Sequence, residues 1–229
     1  MAVSSDRTPA DFLSALSPED AEAFRAHGTV RSYSRGAILF HEAQVPDRVV
    51  VLLEGRVKVS CVDGEGKQVV LAIRGAGDLV GELSAIDGNP RSATATAIDD
   101  VAALVVPAGD FKSFVRDRPE AALSIVQVLS SRLRDADRKR VEFAVLDSVG
   151  RLAARILELC ERFGVPTERG VAVDVPMSQE ELGGWTGCSR EAASKALQAM
   201  RALGWLETQR RSIVVLDAEA MRKRATPGG

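Results

Sequence analysis

Three cysteines and two histidines in 229 residues leave little room for metal or redox chemistry. Cys61, Cys160 and Cys188 are odd in number and scattered. No pair has ligand or redox spacing, so free thiols in a reducing cytoplasm are expected. The absence of an N-terminal cysteine cluster argues against an iron–sulfur oxygen sensor, and His27 and His41 are isolated. No metal is expected. No apolar run approaches the ~20 residues that a membrane span needs, and the first ten residues are polar, without a targeting segment. No nucleophile–base pair and no phosphate-binding P-loop is present, so an enzyme is not expected. Bulk charge is also lacking. The net charge of −2 rules out polyanion binding by the molecule as a whole, yet residues 178–229 carry eight Lys/Arg against six acids. That local excess has the sign required of a nucleic-acid-binding C-terminus.

What is present is organised around Gly81–Ala97, Gly-Glu-Leu-Ser-Ala-Ile-Asp-Gly-Asn-Pro-Arg-Ser-Ala-Thr-Ala-Thr-Ala. Gly81 follows a strand-like run and can take positive φ with a close backbone approach. Glu82–Ala85 suits one helical turn, and Asp87-Gly88-Asn89-Pro90 is dense turn chemistry that ends it. Arg91 and Ser92 then open an alternating, strand-like run. One carboxylate, one guanidinium, one hydroxyl and several backbone donors therefore converge on a small site. The set suits a ribose phosphate, with the carboxylate accepting from a sugar hydroxyl and the guanidinium gripping phosphate oxygens. The alternative is that Glu82 and Arg91 pair only with each other.

From Val30 to Ala108 short apolar runs alternate with glycine turns, which predicts an antiparallel roll or barrel. The Asp63–Lys67 hairpin tip is placed to fold against the pocket. Ser17-Pro18-Glu19-Asp20 is a helix start ahead of the roll, and Phe111–Val115 reads as a short helix after it. Pro119 opens a much longer helix reaching about Leu146. Val126, Leu129, Leu133, Ala136, Arg140 and Phe143 recur on it at heptad spacing, predicting a parallel two-helix seam with one basic interruption. Asp147–Gly150 reads as a hinge. A helix with Leu152, Ile156, Leu159, Cys160 and Phe163 on one face follows and ends at Phe163–Pro166. Val171–Val175 alternates like a strand.

Ser178-Gln179-Glu180-Glu181 is a capping box opening a helix that ends at Thr186-Gly187. After the Gly187-Cys188-Ser189 turn, Ser189 caps a second helix with Ala193, Leu197 and Met200 inward. This is helix-turn-helix spacing, and Trp185 is expected to pack between the two helices. Trp205–Leu216, with Gln209-Arg210-Arg211 at its bend, predicts a basic-tipped hairpin, the wing of a winged helix. In such a motif Arg190 forks onto guanine, Glu191 accepts from a cytosine amino group, and Lys195 reaches guanine or phosphate. Ser178, Ser189, Arg210 and Arg211 suit phosphate.

Gly81-Glu82-Leu83 with Arg91-Ser92-Ala93 resembles the phosphate-binding cassette of cyclic-nucleotide-binding domains, and Gly187-Cys188-Ser189-Arg190-Glu191 resembles a family recognition-helix start. Together, from about Phe12 to Asp217, the chain resembles regulators of the CRP/FNR superfamily, the cyclic AMP receptor protein type. The resemblance implies an α+β chain: a sensor β-roll of the cyclic-nucleotide-binding jelly-roll type over 10–118, a dimerisation helix and hinge over 119–147, and a winged helix-turn-helix over 148–229. It implies a homodimer on a palindromic DNA operator, with RNA polymerase as a further partner and a cytoplasmic location. It places a cyclic nucleotide, cAMP or cGMP, at Gly81, Glu82, Leu83, Arg91 and Ser92. The base would meet Ala136 and Asp137, where cyclic AMP responders carry two hydroxyl residues. Ala136 offers no side-chain hydrogen bond and Asp137 can only accept, so cyclic AMP, cyclic GMP, another nucleotide or no ligand stay open. A ligand-free sensor, or a nucleotide-binding module acting on a protein partner, are the alternative readings.

Overall fold

The computed structural model describes residues 12–175, 177–209 and 211–226. By their contacts these form two compact units. One runs through Cys61 and resumes over Leu71–Arg134; the other takes Val62–Val70 and the chain from Asp135 onward.

In the first unit, Ser17 accepts from the Asp20 backbone N–H at 3.0 Å and starts α1 (Pro18–Ala26), as the Ser-Pro-Glu-Asp start demands. Then come β1 (Thr29–Tyr33), β2 (Ile38–Phe40), β3 (Arg48–Glu54), β4 (Val57–Val62), β5 (Gln68–Arg74), β6 (Leu79–Val80), α2 (Glu82–Asp87), β7 (Thr94–Ala97), β8 (Val101–Pro107) and α3 (Ala108–Asp117). The strands pair in two sheets, β1-β8-β3-β6 and β2-β7-β4-β5. β3 explains why its run Val49-Val50-Val51-Leu52 is apolar without alternation. Val50 and Leu52 join Leu39, Phe40, Ala95 and Ala97 between the sheets, while Val49 and Val51 face the helices with Phe24, Phe111 and Ile125. The roll is thus buried on both faces of its central strand, and the α+β expectation is met. The β4–β5 tip differs from expectation: Val62–Val70 clusters with the second unit.

α4 (Pro119–Val145) is a single 27-residue helix. Its first turns bury Ala121, Ser124, Ile125 and Val128, whereas Leu123, Val126, Leu133, Val141 and Val145 are exposed. Of the expected seam, Leu129 is partly buried against the core of the roll, while Phe143 stays 45% exposed with its ring beside Gly187.

α5 (Ser148–Phe163) follows after Asp147, whose carboxylate accepts from Gly150 N–H at 2.9 Å. It buries Leu152, Ala153, Ile156, Leu157 and Leu159. A charged cluster joins it to the end of α4. Arg155, its side chain 5% exposed, bonds Glu142 and lies 2.8 Å from Glu158, which Lys139 reaches at 3.3 Å. Burial raises the Glu158 pKa, but Lys139 and Arg155 outweigh it and hold the carboxyl below its ordinary value.

The chain continues with β9 (Val165–Thr167), β10 (Gly170–Asp174), α6 (Gln179–Thr186), α7 (Arg190–Ala202), β11 (Leu206–Gln209), β12 (Ser212–Val215) and α8 (Ala218–Arg224). Strand order is β11-β12-β10-β9. The sequence reading ends α5 at Pro166 but assigns no strand there. Pro166 nevertheless sits in β9, opposite Val171, because β9 is the sheet edge and needs no donor on its outer side. No described helix is long and apolar enough to cross a membrane.

Candidate functional site

Gly81 opens α2 at φ +86°, and a Cβ built there would sit 2.6 Å from Arg91 Nη1. Only glycine allows both this backbone and this approach. α2 ends at Gly88 (φ +78°), and Arg91 follows at the head of β7. Its guanidinium is turned inward. Nη1 donates to Gly81 O at 2.8 Å, Nη2 to Arg48 O at 2.5 Å, and Asp47 Oδ1 lies 3.5 Å from Nη2. The cation rests 4.4 Å over the Phe40 ring, while buried Nε has no hydrogen-bond partner. Burial pulls the Arg91 pKa down, and Asp47 opposes this. Glu82, 3% exposed, does not pair with Arg91, against the alternative raised above. Its carboxylate accepts from Arg132 Nη1 at 2.5 Å, and Arg132 Nη2 donates to Leu79 O at 2.6 Å.

The structure therefore brings Gly81, Glu82, Arg91 and an unanticipated Arg132 together. Leu83 and Ser92 are exposed beside them. The sequence shows Arg132 only as one of several basic residues along the long helix. Its distinguishing signal is its place one turn before Ala136. Ala136 and Asp137 are exposed on α4 in the second unit, where Asp137 accepts from Arg140 at 3.3 Å.

The second constellation is the helix pair α6–α7. Ser178 Oγ accepts from Glu181 N–H at 3.1 Å and Glu181 returns a bond to Ser178 N–H at 2.7 Å, completing the capping box. α6 stops at Gly187 (φ +61°), and Cys188 N–H closes the turn on Gly183 O at 2.9 Å. Gly183 carries no Cβ for good reason, since one would meet Cys188 O at 2.9 Å. Ser189 caps α7 through Ala192 N–H at 3.1 Å. Both serine oxygens are thus capping acceptors.

α7 buries Ala193, Ala196, Leu197 and Met200. This leaves Arg190, Glu191, Lys195, Gln198 and Arg201 on its solvent face. The Glu191 carboxyl is held below its ordinary pKa by its own backbone N–H, then by Ser189 and the neighbouring Arg190 and Lys195, so it remains an acceptor at neutral pH. Trp185 is buried as expected, its Nε1 unpartnered. Arg211 stands at φ +68° between β11 and β12; Arg210 lies outside the described residues.

A β-roll that buries Arg91 and Glu82, a long helix, and a capped helix-turn-helix followed by a β-hairpin follow one another along the chain. Two family models match accordingly: a cyclic nucleotide-binding domain over residues 30–118 and a Crp-like helix-turn-helix domain over residues 150–224. The CRP-like cAMP-activated global transcriptional regulator of Mycobacterium tuberculosis is 33% identical over 193 residues, spanning 84% of this chain and 86% of its own. The cyclic AMP receptor protein of Thermus thermophilus is 26% identical, spanning 92% and 94%. A solved CRP/FNR-family transcriptional regulator from Thermus thermophilus is 27% identical, with a TM-score of 0.74 over 87% of this chain and all of its own. The chain belongs to the CRP/FNR family of transcription regulators.

Proposed function

We propose that this chain is a homodimeric, sequence-specific DNA-binding regulator that binds a cyclic nucleotide and couples it to DNA affinity. The observation that carries the DNA half is α7. Its buried side is apolar, its start is capped outside the helix, and its exposed first turns present Arg190, Glu191 and Lys195 together. These are the donor and acceptor types that read guanine and cytosine edges in the major groove. Ser178, Ser189, Arg210 and Arg211 hold phosphates. Two copies joined along the exposed Leu123, Val126 and Leu133 of α4 read a palindrome with half-sites about one helical turn apart. RNA polymerase is the further partner, and the protein works in the cytoplasm. The functional division is 10–118 for sensing, 119–147 for dimerisation and hinge, and 148–229 for DNA.

The residues of the cassette fit the nucleotide. The Arg91 guanidinium can donate to a phosphate oxygen once it releases one of its carbonyl bonds, and the Glu82 carboxylate can accept from a ribose hydroxyl. Asp137, an acceptor, sets the preference for the base, between cAMP and cGMP, by the amino edge it meets; Ala136 only packs. One observation favours the ligand-free alternative. Both Arg91 Nη atoms already serve carbonyl oxygens and Glu82 already serves Arg132, so the site satisfies most of its own groups.

Calorimetric titration of cyclic AMP and cyclic GMP into the protein, with Arg91→Ala alongside, separates the two. Binding heat that Arg91→Ala abolishes supports the cassette. No heat from either nucleotide, with an unchanged melting temperature, leaves a ligand-free regulator. Failure to select any duplex from a random pool would instead leave a nucleotide-binding module acting on a protein partner.

A further inference from the structure

Between α7 and the β11–β12 hairpin lies a crevice of about 300 Å³. Its polar wall is formed by Ser194, Gln198 and Arg201 from the helix and by Thr208, Gln209 and Arg211 from the hairpin. Among the described residues no carboxylate lines it, whereas several other cations of the domain are paired. Arg155 bonds Glu142, Lys223 lies 3.0 Å from Glu219, and Arg224 pairs with Asp147. Glu207 lines the hollow on the other side of Arg201, but its carboxylate bonds Arg169. Among the described residues, neither Arg201 nor Arg211 has a side-chain ion pair. Arg211 also holds a left-handed backbone that glycine or asparagine would adopt at less cost, so an arginine there goes against local preference.

We propose that this crevice seats a DNA phosphodiester, held by Arg201 from the helix and Arg211 from the hairpin, with Gln198 donating between them. The inference rests on the DNA-binding reading and adds Arg201 and Gln198 to it. Helix geometry supplies the argument for position. Arg190, Ser194, Gln198 and Arg201 fall on one stripe of α7, at spacings of four, four and three. At 1.5 Å per residue, Arg201 stands about 16 Å along the axis from Arg190. The major groove is about 12 Å wide. A helix that brings Arg190 to the base edges therefore carries Arg201 past the groove to its rim, where the phosphates run. The crevice is polar and cationic at that end and floored by Leu182, Leu197 and Ile213. An anion entering it meets donors on both sides and no repelling carboxylate.

The test is the salt dependence of binding by the full chain, measured by fluorescence anisotropy. One duplex is chosen from a random pool and the other is a shuffled duplex of the same length. Native protein, Arg201→Gln, Arg201→Lys and Arg116→Gln, a control in the roll, are compared after their melting temperatures have been matched. Losing one phosphate contact per protomer should flatten the slope of log K against log salt by about 0.9 per half-site, or about 1.8 for a dimer. Arg201→Gln should show this on both duplexes alike, Arg201→Lys should largely restore it, and Arg116→Gln should leave it unchanged. An unchanged slope in Arg201→Gln overturns the crevice and leaves the DNA reading standing. A loss confined to the selected duplex also overturns it, because Arg201 would then read a base. If native protein selects no duplex from the pool with cyclic AMP or cyclic GMP supplied, the DNA reading itself fails and the crevice with it.

Discussion

Arg91 is a buried cation whose hydrogen bonds go chiefly to main-chain oxygens, and this sets what its replacement costs. Arg91→Ala removes charge-assisted bonds to Gly81 O and Arg48 O together, so chemical denaturation should show a loss of about 3 kcal/mol besides any loss of ligand heat. The identity of this residue as a site group was legible from its turn and its neighbours. Its inward orientation was not, because the two carbonyl acceptors come from Gly81 and Arg48, one of them far away in sequence. Arg132 was hidden for the same reason: a basic residue on a long helix gives no sign of which carboxylate it will meet. Cys160 illustrates burial acting on a different group. Burial first, and then the neighbouring Glu161, pushes its thiol up to about 11 from 9.0. Because the folded value is raised, its contribution to stability is present below about pH 9 and is lost as pH climbs through about 11. At pH 8 the folded chain should leave Cys160 unlabelled by maleimide while denatured chain reacts, as peptide mass mapping would show. Rapid labelling of the folded protein would contradict the burial account.

At the scale of the element, local chemistry was the most readable part of the chain. Ser17, Ser178 and Ser189 each announced a helix, and each accepts the bond its position implies. Ser178→Ala should therefore cost about 1 kcal/mol of stability in urea denaturation, through the orphaned Glu181 N–H. What local chemistry could not announce was β9 and the phase of α4. β9 exists because β10 offers it an edge, and Leu129 is partly buried because it packs against the apolar core of the roll. Both are decided by partners distant in sequence. α8 was likewise unassigned, although Asp217 caps it through Ala220 N–H at 2.9 Å and Arg222–Arg224 fill its last turn.

For the whole molecule, the apolar row left on α4 is the feature that one chain does not satisfy. Leu133 is 61% exposed, so Leu133→Glu should cost the folded chain little by itself. On the proposed dimer, sedimentation should show the variant as a monomer and the native protein as a dimer, with DNA affinity falling in parallel. A dimer that persists in Leu133→Glu would move the seam elsewhere. The overall plan of roll, long helix and winged helix-turn-helix was legible because glycine-punctuated apolar runs, an uninterrupted 27-residue helix and a capped helix pair differ in period as well as in composition.

The charged cluster of Arg155, Glu142, Glu158 and Lys139 has a consequence for how the protein responds to ionic strength. Mobile ions weaken attractions between solvent-facing charges over a distance of about 8 Å at physiological salt, but reach enclosed ones far less. The Arg155 side chain is 5% exposed and that of Glu142 13%. Raising salt should therefore leave α5 fastened to the end of α4, and on the proposed DNA-binding reading it should loosen contacts with phosphates first. The junction between the long helix and the domain after it would then stay intact through a cycle of release and rebinding.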